Sequence, residues 1–261
     1  MSQLWNTLIF EPMLNVLLFL YSLLGQNFGL SIIVFTVLVR VLTLPINLKQ
    51  MRSAKASQAL QPQLQELQKK YKNDREKLAE EQMKLYREAG VNPLGCLVPT
   101  LIQLPIWIGL YQSILHALGD NPLQLFNLAR HIYLQFPILS SLIPLNSRFL
   151  WLNLGRPDPI YVLPFLTVAT MWVQQKMMAS PSTDPQQQAM GQTMELMMPM
   201  MFGFITLQAA SGLGLYFVAT NVFGIILQYF VSGWGSLGTL FGRKGGEARP
   251  TQPKGKKHGR K

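Results

Sequence analysis

The stretch GLSIIVFTVLVRVLTLP (29–45) decides the fold. It is almost wholly apolar and carries a single charge, Arg40. A helix needs about 20 such residues to cross a hydrocarbon core, and the run from Phe28 to Leu48 supplies them. Arg40 then lies about 12 Å in from the Leu48 end at about 1.5 Å per residue. A guanidinium at a span centre costs about 2.5–3.5 kcal/mol to insert, and this one is too deep for snorkelling to relieve completely. No acid lies inside another apolar stretch to pair with it, since Glu195 reads as a helix start. An unpaired cation needs water or an incoming anion, so the pattern predicts a wet cavity that attracts acidic groups. Partial snorkelling with local thinning of the bilayer is the plainer alternative. Thr36 and Thr43, at i−4 and i+3, share the face of Arg40.

Further apolar stretches follow at Leu94–Leu115, Ile160–Met178, Met194–Ala210 and Leu213–Val231, giving five expected spans. The fourth is short: Leu196 to Ala210 makes about 22 Å of helix against a core of about 30 Å. Nine of the thirteen methionines fall between Met171 and Met201, which suits either plain packing or a surface that adapts to many partners. Leu4–Leu24 carries Glu11, Pro12 and Asn15 and is separated from the first span only by Gly25-Gln26-Asn27. It reads as an amphipathic helix lying in the interface, with a further spanning helix as the alternative. Gln103, Gln112, Gln174, Gln175, Gln208, Asn221 and Gln228 add polar groups to the spans. Each alone suits an interhelical hydrogen bond, but beside Arg40 their number favours a shared polar interior.

Composition agrees. The 261 residues are 49% hydrophobic and 13% charged, with net charge +11, against about 25% charged in an average soluble domain. A soluble enzyme is excluded, as is disorder over most of the chain. Cys96 stands alone, the three histidines are scattered, and HExxH, GxxxxGK[ST], GxGxxG and GxSxG motifs are absent. No catalytic set, metal site or cofactor is expected, and no acid or histidine within a span offers a proton relay.

Charge asymmetry orients the chain. No Lys or Arg precedes Arg40, ten lie between Lys49 and Pro93 against six acids, and eight follow Phe241 against Glu247. By the positive-inside rule the first loop and the tail are cytoplasmic and the amino terminus is outside. The expected organisation is an interfacial helix (1–27), a first span (28–48), a cytoplasmic helical hairpin (49–93) turning at Asn73-Asp74, and a second span (94–117). An outer loop (118–158), a third span (159–178), a short cytoplasmic loop (179–193), a fourth span (194–210), a fifth (211–233) and a disordered basic tail (234–261) complete it. The tail suits acidic lipid or RNA phosphate by charge alone. The fold class is all-α: a polytopic membrane protein with five transmembrane helices around a polar groove.

Four stretches, GLSIIVFTVLVRVLTLP (29–45), VNPLGCLVPTLIQLPIWIGLY (91–111), FLWLNLGRPDPIYVLPFL (149–166) and SGLGLYFVATN (211–221), resemble the YidC-type membrane protein insertases of the Oxa/Alb superfamily. The likeness runs from about Trp5 to Val231, with residues 119–148 unusual. The resemblance implies a five-helix core around a groove open to the cytoplasm and the lipid and closed to the outside. Its groove residues carry over onto Arg40, Thr36, Gln175 and Phe217, with Tyr216 beside it. It also implies a non-enzymatic insertase and chaperone in a bacterial cell membrane, with nascent membrane proteins as substrates. A Sec-type translocon, membrane lipid, and the ribosome and anionic lipids through the basic tail are the further expected partners. A small-solute channel or transporter is the alternative function.

Overall fold

The computed structural model describes residues 3–72, 74–90, 97–118, 145–178 and 185–234. Asn73, the stretch 91–96 with its NPLG sequence and Cys96, residues 119–144 and 179–184, and the basic tail fall outside the described residues. The helices are α1 (Gln3–Leu23), α2 (Phe28–Leu42), α3 (Leu44–Ala59), α4 (Gln61–Lys70), α5 (Arg75–Glu88), α6 (Leu97–Leu118), α7 (Val162–Met178), α8 (Pro185–Gln208) and α9 (Ser211–Ser232). Between α6 and α7 stands a two-stranded antiparallel hairpin, β1 (Arg148–Phe149) and β2 (Leu152–Asn153), a small addition to the all-α expectation.

The chain reverses after α1 through Gly25 (φ +64°) and Gln26 (φ +59°). Glycine enters that left-handed region without steric cost. Asn27 then starts α2, its Oδ1 accepting from the Leu30 N–H at 3.1 Å, so one orphan donor of the first turn is satisfied.

The expected continuous span 28–48 is two helices, with α3 turned 63° from α2. Pro45 has no N–H to carry the hydrogen-bond ladder onward. Thr43 closes the break: its N–H donates to Val39 O at 2.9 Å, and its hydroxyl donates to the same carbonyl at 2.9 Å. The run expected as one helix from Lys55 to Tyr71 is also divided, at Leu60, with Pro62 in the first turn of α4. Asp74 caps α5 by accepting from the Lys77 N–H at 3.1 Å, and α4 packs on α5.

At the centre stands α9, packed against α2, α3, α6, α7 and α8. Close approach needs a small residue at Gly212, where an added Cβ would lie 3.1 Å from Leu154 O and 3.2 Å from Ile114 Cγ2. The first turn of α9 gives its otherwise orphaned N–H groups to the chain around β2. Ser211 N–H donates to Arg156 O at 2.7 Å and Gly212 N–H to Leu154 O at 3.0 Å. The Ser211 hydroxyl adds a bond to Asn153 O at 2.8 Å. Asp158, buried, starts α7 by accepting from Ile160 N–H at 3.1 Å and Leu163 N–H at 2.8 Å.

The hairpin end of the bundle holds the apolar core: Leu14, Leu17, Leu18 and Tyr21 of α1, Phe28 and Ile32 of α2, Leu110 and Ile114 of α6, Leu154, and Leu213 of α9. The outer surface is apolar as well, with Leu101, Phe165, Met197, Phe204 and Phe230 more than half exposed. So much uncovered apolar surface belongs in lipid. By length and composition Gln3–Leu23, Leu101–Leu118 and Ser211–Val231 can each cross a membrane, and Phe28–Leu42 with Leu44–Ser57 do so as one bent pair. α7 has 17 residues and α8 opens on a polar stretch, so neither is a full-length apolar span by itself. α1 is apolar on two sides, burying Leu14, Leu17 and Leu18 while Leu4, Leu8 and Phe19 face outward.

The sequence reading put Glu195 at a helix start. The structure corrects this: α8 begins at Pro185, and Glu195 lies well inside it. A carboxylate is tolerated there because Lys176 Nζ of α7 pairs with it at 2.7 Å.

Candidate functional site

Beyond the apolar core the same helices change character. On α2 the order runs Phe28, Ile32, then Arg40; on α6 Ile114, Leu110, then Trp107 and Gln103. On α7 it runs Leu163, then Thr167 and Met171, and on α9 Leu213, then Tyr216, Phe217, Thr220 and Asn221. On each helix the first-named residues belong to the core and the last-named line a cavity of about 300 Å³. Asn47 and Gln50 of α3 and Phe202 of α8 complete its wall with Leu104. Asn47 and Gln50 stand on α3, beyond the 63° turn at Thr43. The cavity is therefore sealed toward the hairpin by packed side chains.

Arg40 is half-buried at this wall. Among the described residues no carboxylate pairs with it, and the Tyr216 phenol lines the same cavity. Tyr216 is held in turn, its hydroxyl accepting a short hydrogen bond from Gln103 Nε2. Asn221 Nδ2 donates to Thr170 Oγ1 at 3.1 Å, which fixes α9 against α7. An aromatic cluster forms the apolar part of the wall. Phe217 meets Phe202 edge-on at 5.3 Å between ring centres and Trp107 at 5.7 Å. Three buried wall atoms, Trp107 Nε1, Thr167 Oγ1 and Thr220 Oγ1, have no hydrogen-bond partner among the described residues. Buried polar groups are ordinarily satisfied, so the wall suits a guest that hydrogen-bonds.

Of the five residues named from the sequence, Arg40, Tyr216 and Phe217 meet at this cavity. Thr36 lies one turn toward the seal, buried, with its hydroxyl donating to Ile32 O at 2.7 Å. Gln175 sits half-buried on α7, one turn past Met171, and is not among the lining residues. Trp107, Thr167 and Phe202 were missed. A single tryptophan or threonine within an apolar run carries no signal of its own.

Arg40 thus stands, without a carboxylate partner among the described residues, in a cavity of mixed polar and aromatic lining closed at one end. The 60Kd inner membrane protein family model matches residues 19–235. The chain belongs to that family. Its relatives include the membrane protein insertase MisCA of Bacillus subtilis, 36% identical over 234 residues, covering 88% of this chain and 79% of the relative. The membrane protein insertase YidC of Fusobacterium nucleatum is 37% identical over 205 residues, covering 78% of this chain and 86% of that one. A solved structure of an active YidC insertase, with its first transmembrane domain resolved, matches with TM-score 0.59 and 27% identity over 88% of this chain. The chain spans about half of that solved chain, 47%. A channel or solute carrier finds no support among these relatives, and membership places this 60Kd-family chain in a membrane.

Proposed function

We propose that this membrane protein insertase works by drawing the hydrophilic segment of a nascent membrane protein into the Arg40 cavity. One observation carries the reading: an arginine without a carboxylate partner among the described residues stands in a cavity walled by polar and aromatic side chains and closed toward the hairpin end by the packed core. A substrate carboxylate entering it gains a charge-assisted hydrogen bond and crosses less hydrocarbon than in open bilayer. The apolar outer surface then lets the substrate's own helix pass into lipid. The free energy comes from burying that helix, at about 25 cal/mol per Å² of apolar surface, with no bond made or broken in the client.

In this account the first loop and the basic tail lie on the cytoplasmic side and the hairpin outside, as the Lys and Arg distribution requires. The cavity then opens toward the cytoplasm. The tail, by charge, serves the ribosome and anionic lipid, and a Sec-type translocon is a second partner for longer clients.

The test is insertion of a matched client pair, with acidic and neutralised translocated tails, by the reconstituted chain and its Arg40→Lys and Arg40→Ala variants. A hydrogen bond to a charged group is worth about 1.5–3 kcal/mol, so Arg40→Ala should lose roughly tenfold or more on the acidic client. It should lose little on the neutral one. Arg40→Lys should retain most activity, because a point charge still attracts a carboxylate. Equal efficiencies for both clients with all three proteins would remove Arg40 from the mechanism.

A further inference from the structure

The hairpin turn is made of the wrong residues for water. Strands β1 and β2 pair Arg148 with Asn153 and Phe149 with Leu152, leaving a two-residue loop, Leu150-Trp151. Such loops in aqueous hairpins favour Asn-Gly, Asp-Gly or glycine first, because the first position takes positive φ. Here Leu150 takes φ +55°, a conformation unusual for a bulky side chain. It is 75% exposed, and Trp151 beside it is exposed as well. The pattern recurs where the chain enters α7. Tyr161 has φ +61° and is 62% exposed, next to exposed Ile160. Two strained turns thus each present large apolar side chains outward, at one end of the bundle.

We propose that Leu150, Trp151, Ile160 and Tyr161 form a foot embedded in the bilayer interface on the hairpin side. The occupant of this surface is lipid. Phe165, one turn into α7, is 72% exposed on the apolar outer surface, so the foot is continuous with the lipid-facing side of a membrane helix. Trp and Tyr are the side chains that settle at headgroup level. Arg148, exposed two residues before the turn, stands where a lipid phosphate would meet it. The hairpin is also bonded to the first turn of α9 through Asn153, Leu154 and Arg156. The depth of the foot therefore sets the depth of Tyr216 and Phe217, farther along the same helix. The inference rests on the insertase reading only for that last consequence.

The test uses the full chain carrying Cys96→Ser, with single cysteines at Leu150→Cys and Tyr161→Cys, spin-labelled and reconstituted in vesicles containing anionic lipid. Lys77→Cys on exposed α5 serves as the water reference and Phe230→Cys, 79% exposed on α9, as the lipid reference. At 150 and 161 the ratio of oxygen to water-soluble nickel collisions should lie clearly above that at 77 and between the values at 77 and 230. A ratio like that at 77 overturns the proposal, and so does shielding from both probes, which would mean that protein covers the foot. Because depth is read without any client, failure here leaves the Arg40 experiment to be judged separately.

Discussion

Tyr216 shows how a single side chain serves both packing and the cavity. It is fully buried, yet its hydroxyl stands at the wall, accepting from Gln103. Tyr216→Phe keeps the ring and removes the acceptor, so the chain should lose about 1 kcal/mol of stability. In a Gln103→Leu background the same change should cost nearly nothing, a coupling that denaturant unfolding in detergent would read. Equal costs in both backgrounds would show that the bond contributes nothing. Arg40 was legible from the sequence because any charge inside a span carries a cost that something must offset. Gln103 and Asn221 were legible as polar groups but not as neighbours, since helical spacing says nothing of which spans meet. Thr36 shares the face of Arg40 by spacing, but its hydroxyl bonds within its own helix, as threonine commonly does.

Among the elements, α7 and α8 are packed together and joined by an ion pair between Lys176 and Glu195. Both ends are mostly covered, with side-chain exposures of 28% and 14%, so removing one partner leaves the other's charge less well compensated in a poorly solvated place. Glu195→Gln should lower stability by about 1–3 kcal/mol, less than for a fully buried pair because some water remains. The exchanged double variant, Lys176→Glu with Glu195→Lys, should recover most of that loss in thermal unfolding. No recovery would mean that the pair contributes through packing, not charge. The apolar stretches and their order were readable from composition, but the start of α8 was not. Its first turns, PQQQAMGQTM, are polar and resemble a loop, and they form a helix continuous with the apolar half. The bend at Thr43 was likewise hidden: Pro45 signals a break, but its 63° angle is set by what α3 packs against.

For the whole molecule, the governing feature is a gradient along the bundle. Leu14, Ile32, Ile114 and Leu213 fill one end, and Arg40, Gln103, Thr167 and Asn221 line the chamber beyond. Packing of this kind stabilises membrane bundles by van der Waals contact, since lipid offers no hydrophobic drive between helices. In the proposed function the closed end keeps the cavity from becoming a pore, and the cavity gives a polar segment a partial path. The most direct measurement is photo-crosslinking of a stalled client whose acidic tail has begun to translocate. A photoreactive residue replaces Met171 at the cavity wall or Phe230 on the lipid-facing surface of α9. The account predicts that the acidic tail crosslinks at 171 and not at 230, and that Arg40→Ala abolishes the yield at 171. A tail that crosslinks at 230 as strongly as at 171, or at 171 regardless of Arg40, would contradict it.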